Sequence, residues 1–171
     1  MSLDEVPEAR ELFRRASKTR LASRSQGCGP TILDREAIER LLPHRDPCLL
    51  LDRVVWLDYQ ESLIVARYDL ARGAPVFAGH FPGRPVWPGM LQLEAITQAG
   101  LLFGLHRGPA PREQTAAVVT EVLAARFLRP VGPEGDLEIA VRVLEDGLFH
   151  LLVGQCVSQD VIRSVAVLRG L

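Results

Sequence analysis

The side chains best suited to moving protons in this sequence are His80 and Glu94, and they stand close together along the chain. His80 falls in Gly79-His80-Phe81-Pro82-Gly83-Arg84-Pro85-Val86-Trp87-Pro88-Gly89, where three prolines and three glycines among eleven residues fix an unusual backbone path. An imidazole titrates near neutrality, so a neutral ring held by such a loop can take a proton from carbon. A lone loop histidine is more often solvated or structural, and its company decides between the readings. That company is Glu94, in Met90-Leu91-Gln92-Leu93-Glu94-Ala95-Ile96-Thr97-Gln98-Ala99-Gly100-Leu101-Leu102-Phe103, a segment apolar on nearly every face and therefore expected to be a buried helix. Glu94, Thr97 and Gln98 recur at i, i+3 and i+4, a polar stripe on a greasy rod. A carboxyl group desolvated in such surroundings tends to hold its proton, as a general acid must. The helix alone fits a second reading as well, with Glu94 in an exposed first turn facing the positive end of the helix dipole.

Between the two, Pro88-Gly89-Met90 opens the helix, where first-turn amides lack intrahelical acceptors and Gly89 has no side chain to obstruct a ligand. Base, acid and a candidate oxyanion hole at Gly89 suit removal of a proton α to a thioester carbonyl with loss of a β-hydroxyl. Their convergence in space depends on the elements that carry them.

Those elements read as α+β. Asp34 is a plausible N-cap for a helix through Leu42, stopped by Pro43. Residues 48 to 57 and 62 to 70 read as strands around the turn Asp58-Tyr59-Gln60-Glu61, and residues 71 to 88 as a Gly/Pro-rich loop. One long helix follows over roughly residues 89 to 106, then a break at Gly108-Pro109-Ala110-Pro111. Strand-like runs occupy residues 115 to 128, 136 to 145, 148 to 158 and 161 to 169. Leu137, Ile139, Val141 and Val143 alternate with Glu138, Ala140 and Arg142, the pattern of a strand with one buried face. The order predicts an antiparallel sheet wrapped on one long helix. Residues 1 to 30 differ in texture, with six basic and four acidic residues and a Ser/Gly-rich end, and read as an extension plus linker before a domain over 31–171. Residues 5 to 16 fit a short amphipathic helix with Leu12 and Phe13 on one side, docked on the domain or a partner, and fit a frayed tail equally well.

Bulk properties narrow the function classes. With 171 residues, a net charge of −1 and a pI near 6.4, the chain reads as one globular domain without a global field for nucleic acid or an anionic membrane. Cys28, Cys48 and Cys156 are odd in number and lack C-x-x-C spacing, which supports neither a disulfide framework nor a metal site. Met1-Ser2-Leu3-Asp4-Glu5 places acids where a signal peptide needs basic residues, so a cytoplasmic protein with reduced thiols is expected. His106 and His150 have ordinary dipole or packing explanations.

The run Ala78 to Leu91, followed by Glu94-Ala95-Ile96-Thr97-Gln98-Ala99, resembles the β-hydroxyacyl-acyl-carrier-protein dehydratases of the FabZ type. Leu42-Pro43-His44-Arg45-Asp46-Pro47, Leu49-Leu50-Leu51-Asp52-Arg53-Val54 and Ala125-Arg126-Phe127-Leu128-Arg129-Pro130 extend the likeness to roughly residues 32 to 170. The resemblance implies a hot-dog fold and a homodimer, with trimers of dimers as an option, in which histidine and glutamate come from different subunits. Carried over, His80 removes the α-proton and Glu94 serves the departing hydroxyl; Gly89 donates to the thioester oxygen, Gln98 holds Glu94, Phe81 lines the substrate path, and Trp87 either lines it or packs in the core. No metal or redox cofactor is implied; the acyl group arrives on the phosphopantetheine of an acyl carrier protein, whose acidity suits Arg126 and Arg129 as docking residues, although solvated surface arginines read the same way. His44 and Arg45 match family positions and read as structural.

Asp46 and Cys48 stand where the family usually has aromatics, Gly73-Ala74 where it commonly has Asn-Glu, and Trp87 where Met is more frequent. These departures bear on chain length and on fatty-acid versus polyketide-type biosynthesis. Glu94, where the dehydratase/isomerase branch tends to have Asp, disfavours isomerisation. Two alternatives share the fold: an acyl thioesterase, and a non-catalytic subunit that binds a carrier protein.

Overall fold

The computed structural model describes residues 2–108, 119–146 and 149–170. Six antiparallel strands form one sheet in the order β1-β2-β4-β5-β6-β3: β1 (Arg53–Asp58), β2 (Leu63–Asp69), β3 (Val119–Phe127), β4 (Asp136–Asp146), β5 (Phe149–Ser158) and β6 (Val161–Gly170). The hairpin between β5 and β6 turns on Gln159 and Asp160, both at positive φ (51° and 60°), as a two-residue turn matched to strand twist requires. Among the described residues, five α-helices accompany the sheet: α1 (Pro7–Ala16), α2 (Arg24–Gly27), α3 (Arg35–Leu41), α4 (Ala74–Gly79) and α5 (Gly89–Arg107).

Helix α5 lies against one face of the sheet. Leu93, Ile96, Ala99 and Leu102 pack with Ile64, Ala66, Leu137, Ile139, Val141, Leu152, Cys156, Ala166 and Leu168 in the main core. Two glycines let helix and sheet approach: a Cβ on Gly154 would meet Ile96 Cγ2 at 2.2 Å, and one on Gly100 would meet Leu152 Cδ1 at 2.6 Å. The alternation along β4 is as expected, with Leu137, Ile139 and Val141 facing the helix.

The opposite face is covered too, which the single-faced pattern of β4 does not anticipate. Ala9, Phe13 and Ala16 of α1 pack on Leu151, Val153, Val165 and Val167, while Ala22 joins Val55, Leu63, Val65 and Ala140. The segment after α1 is held by polar contacts. Fully buried Gln155 donates from Nε2 to the carbonyls of Ala16 (2.5 Å) and Thr19 (2.9 Å), and its Oε1 accepts from the Leu21 amide at 2.8 Å. Buried Glu138 pairs with Arg20 and Arg67, compensating a carboxylate that would otherwise be costly to bury. The Ser/Gly-rich stretch read as a linker holds α2, whose Ser23 and Gln26 form a reciprocal capping box, and Arg67 Nε donates to the Gly27 carbonyl at 2.8 Å.

Two local expectations change. Residues 48–52 are not strand: Leu49, Leu50 and Leu51 are buried in a loop that runs over α5, so an apolar run reports burial here rather than a ladder. The loop read over 71–88 contains α4, which begins with proline in its first turn, where the missing N–H costs nothing. The predicted break at 109–111 and the start of the run at 115 lie outside the described residues.

Candidate active site

The chain leaves α4 at Gly79 and doubles back. Phe81 and Arg84 exchange backbone hydrogen bonds (3.3 and 3.0 Å), the Val86 amide donates to the His80 carbonyl at 2.8 Å, and Gly83 takes φ of 76°, which favours glycine. The His80–Phe81 peptide is cis. The Trp87 amide donates to Val131 at 2.9 Å and ties the loop to the segment after β3. Within this frame His80 Nδ1 lies 2.7 Å from the Val86 carbonyl. A carbonyl only accepts, so Nδ1 carries a proton, and in the neutral ring Nε2 is the nitrogen that presents a lone pair. The Phe81 ring stacks on the imidazole, centroids 4.0 Å apart, and is itself exposed.

Glu94 sits in the second turn of α5 with its side chain 41 % exposed in the single chain, so the helix does not bury it as the apolar composition predicts. Its Oε1 accepts from Gln98 Nε2 at 2.8 Å. Gln98 is fully buried and its orientation is fixed, because Oε1 accepts from the Leu50 amide (2.8 Å) and Nε2 also donates to the Cys48 carbonyl (2.7 Å). Thr97, the third member of the stripe, spends its hydroxyl on the Leu93 carbonyl at 3.0 Å. Among the described residues, Glu94 Oε2 makes no hydrogen bond, and none joins His80 to Glu94 within one chain.

Gly89 is the first residue of α5, and its amide has no acceptor among the described residues. The Phe127 ring lies where a side chain at Gly89 would go, with a Cβ there meeting Cε1 at 2.6 Å. Trp87, for which the sequence leaves substrate path and core equally open, is 1 % exposed and packs in the core against Tyr68 and Phe77, ring centroids 5.6 and 5.2 Å away. Arg126, one of the two expected docking arginines, holds its guanidinium 5.1 Å from the centre of the Phe13 ring, a cation–π contact with α1. Arg129 stands beside Arg163, and burial together with the Arg129 charge pushes the Arg163 guanidinium below its usual value. Among the described residues no carboxylate pairs with either arginine.

A cavity of about 720 Å³ runs along α5 past Thr97, Gly100, Leu101 and Gly104, between the helix and Val119 and Leu152. Its lining reaches Thr97, one turn beyond Glu94, and includes none of His80, Gly89, Glu94 and Gln98. Among the described residues no group of three or more His, Cys, Asp or Glu is placed to hold a metal ion, and no helix is long and apolar enough to cross a membrane.

His44, which reads as structural from the sequence, lies beside the site. His44 Nε2 lies 3.5 Å from Glu94 Oε1. Nothing local signals this meeting, because the two residues are brought together only by the loop that crosses α5.

Residues 42–159 match the FabA-like domain family. A 3-hydroxyacyl-[acyl-carrier-protein] dehydratase of Sulfurimonas denitrificans is 37 % identical over 145 residues, covering 82 % of this chain and 97 % of that protein. The corresponding dehydratase of an Anaeromyxobacter species is 43 % identical over 117 residues, covering 67 % and 73 %. Among solved structures, a dehydratase heterocomplex from Xenorhabdus doucetiae superposes with a TM-score of 0.60 at 22 % identity, covering 78 % of this chain and 88 % of that one. A mutant thioesterase from Pseudomonas aeruginosa gives 0.56 at 17 % identity, covering 83 % and 95 %; at such identities both likenesses concern the hot-dog fold alone. With its family match, its relatives and a helix wrapped by an antiparallel sheet, the chain belongs to the FabZ-type 3-hydroxyacyl-acyl-carrier-protein dehydratases of the FabA-like family.

Proposed function

We propose that this chain removes water from β-hydroxyacyl thioesters on an acyl carrier protein, giving trans-2-enoyl thioesters for fatty-acid or polyketide-type biosynthesis. The observation that carries this reading is the complementary placement of the two proton-handling groups: the Val86 carbonyl holds the Nδ1 proton of His80, which leaves Nε2 of the neutral ring to act as base, and Glu94 keeps one oxygen, Oε2, without a partner among the described residues. His80 Nε2 takes the α-proton, the C–H electrons form the α,β double bond, and the β C–O bond breaks as Glu94 delivers a proton to the departing hydroxyl. The unpaired Gly89 amide, at the positive end of α5, supports the thioester oxygen while charge builds there. No step calls for a metal or redox cofactor.

The site is completed by a second copy, with His80 of one protomer facing the partner's Glu94. The absence of any hydrogen bond between these groups within one chain supports this, as does the edge position of β3, which exposes Val122 and Phe127 close to exposed Met90 and Leu128 in sequence or space. The acyl chain fits the cavity along α5. Arg129, without a carboxylate partner among the described residues, suits an acidic carrier protein better than Arg126, which is engaged by Phe13, or Arg163, whose guanidinium donates to the Ser158 and Pro130 carbonyls and to Gln159 Oε1.

Mass-spectrometric turnover of a panel of β-hydroxyacyl-carrier thioesters tests the reading. Loss of water that falls about 10²- to 10⁴-fold in His80→Asn and in Glu94→Gln is expected. Release of free acid, or near-normal rates in either variant, would sink it.

A further inference from the structure

His44 is the one imidazole beside the site to which the reaction above gives no task. Its backbone is immobilised by its neighbour: Arg45 donates from Nη1 to the carbonyls of Leu42 (2.8 Å) and His44 (2.7 Å), and the Arg45 carbonyl accepts from the amides of Cys48 (2.8 Å) and Leu49 (2.9 Å). The same short loop supplies the Cys48 carbonyl and Leu50 amide that orient Gln98. Loop and helix carboxylate are thus one assembly, and His44 is part of it.

The two ring nitrogens of His44 differ. Nδ1 is buried with no hydrogen-bond partner, whereas Nε2 lies 3.5 Å from Glu94 Oε1. A proton on Nδ1 would leave a buried donor unpaired, at a cost of about 1–3 kcal/mol, while a bare lone pair there is tolerated more readily. The proton therefore belongs on Nε2, the nitrogen 3.5 Å from Oε1. At 3.5 Å the contact is longer than a good hydrogen bond, and such contacts at catalytic sites commonly tighten when substrate is bound.

Oε1 of Glu94 then faces two donors, Gln98 Nε2 at 2.8 Å and the His44 N–H. An oxygen so occupied cannot carry the carboxyl proton without clashing with one of them. The proton must sit on Oε2, the oxygen with no partner. We infer that His44 is a positioning residue: together with Gln98 it confines Glu94 Oε1 to accepting, and so reserves Oε2 for delivering the proton to the β-hydroxyl. This rests on the dehydratase reading and goes beyond it, because it assigns different tasks to the two oxygens of one carboxyl group.

Steady-state kinetics of His44→Leu and His44→Gln on a β-hydroxyacyl-carrier thioester, with thermal midpoints, tests the assignment. His44→Leu should lower kcat about tenfold, equivalent to roughly 1.4 kcal/mol of transition-state stabilisation, with KM changed less than about twofold. His44→Gln, which restores an N–H near the position of Nε2, should recover most of the lost kcat. Nitrogen-15 shifts of His44 in the wild-type chain should show the Nε2–H tautomer. Wild-type kcat in His44→Leu, a folded His44→Gln as slow as His44→Leu, or an Nδ1–H tautomer would each overturn the inference while leaving the dehydratase reading intact. A wild-type chain inert on the whole panel would overturn both.

Discussion

Gln98 Nε2 lies 2.8 Å from Glu94 Oε1 and 2.7 Å from the Cys48 carbonyl, so a single amide joins the carboxylate of α5 to the loop that crosses it. The geometry requires an amide. A carboxylate at position 98 would face Glu94 and the Cys48 carbonyl with acceptors only, and an apolar side chain would strand the Leu50 amide. Gln98→Leu should therefore lose about 1–3 kcal/mol for the orphaned amide and should lower kcat as Glu94 loses its anchor. Denaturant melts paired with turnover measurements check this; loss of stability with unchanged kcat would make Gln98 purely structural.

The close approach of α5 to β5 gives a second expectation. At Gly154 the space for a side chain is filled by Ile96, with a new Cβ meeting Cγ2 at 2.2 Å and Cγ1 at 2.7 Å. Gly154→Ala should cost about 1–3 kcal/mol by overpacking, a fall of roughly 2–12 °C in Tm for a domain of this size. The double variant Gly154→Ala with Ile96→Ala should lose less than the sum of the two single losses, because alanine lacks both Cγ atoms that the new methyl meets. Additive losses would show that Ile96 is not what the new methyl meets.

The three thiols should differ in reactivity. Cys28 and Cys48 are exposed, whereas Cys156 is fully buried and its thiol is pushed up to about 12 by desolvation. Only the thiolate reacts, so at pH 8 the folded chain should label rapidly at two thiols and the third should react only on unfolding. Rapid labelling of all three without denaturant would show that the core around Gln92, Cys156 and Ser164 opens far more readily than its packing implies.

What the sequence discloses, and what it withholds, follows from where the partners of each residue lie. Strand β4 is legible because its apolar residues alternate against a single helix, and α5 because its run from Gly89 ends where Gly108 and prolines interrupt it. His80 and Glu94 are legible as chemical types in a distinctive setting. Burial of the outer sheet face is not. Glu138 reads as one of the polar residues alternating along β4, and the partners of Gln155 are backbone atoms of residues 16 to 21, which carry no side-chain signature. The His44 contact with Glu94 is hidden for a related reason: a loop, not a periodic element, brings them together.

That outer face supports the last expectation. Phe13 is buried against the outer surface of β5 and β6 while Arg126 covers its ring from β3, so α1 is seated on three strands at once. Phe13→Ala removes an aromatic ring from this seat and should cost about 3 kcal/mol. Were α1 a loosely attached tail, truncating Phe13 would loosen only α1 and leave the sheet untouched. A seated α1 predicts a lower midpoint for the whole domain in one cooperative transition, with hydrogen-exchange protection reduced in β5 and β6. Faster exchange confined to residues before Ser17, at an unchanged midpoint, would mean that the sheet does not depend on its cover.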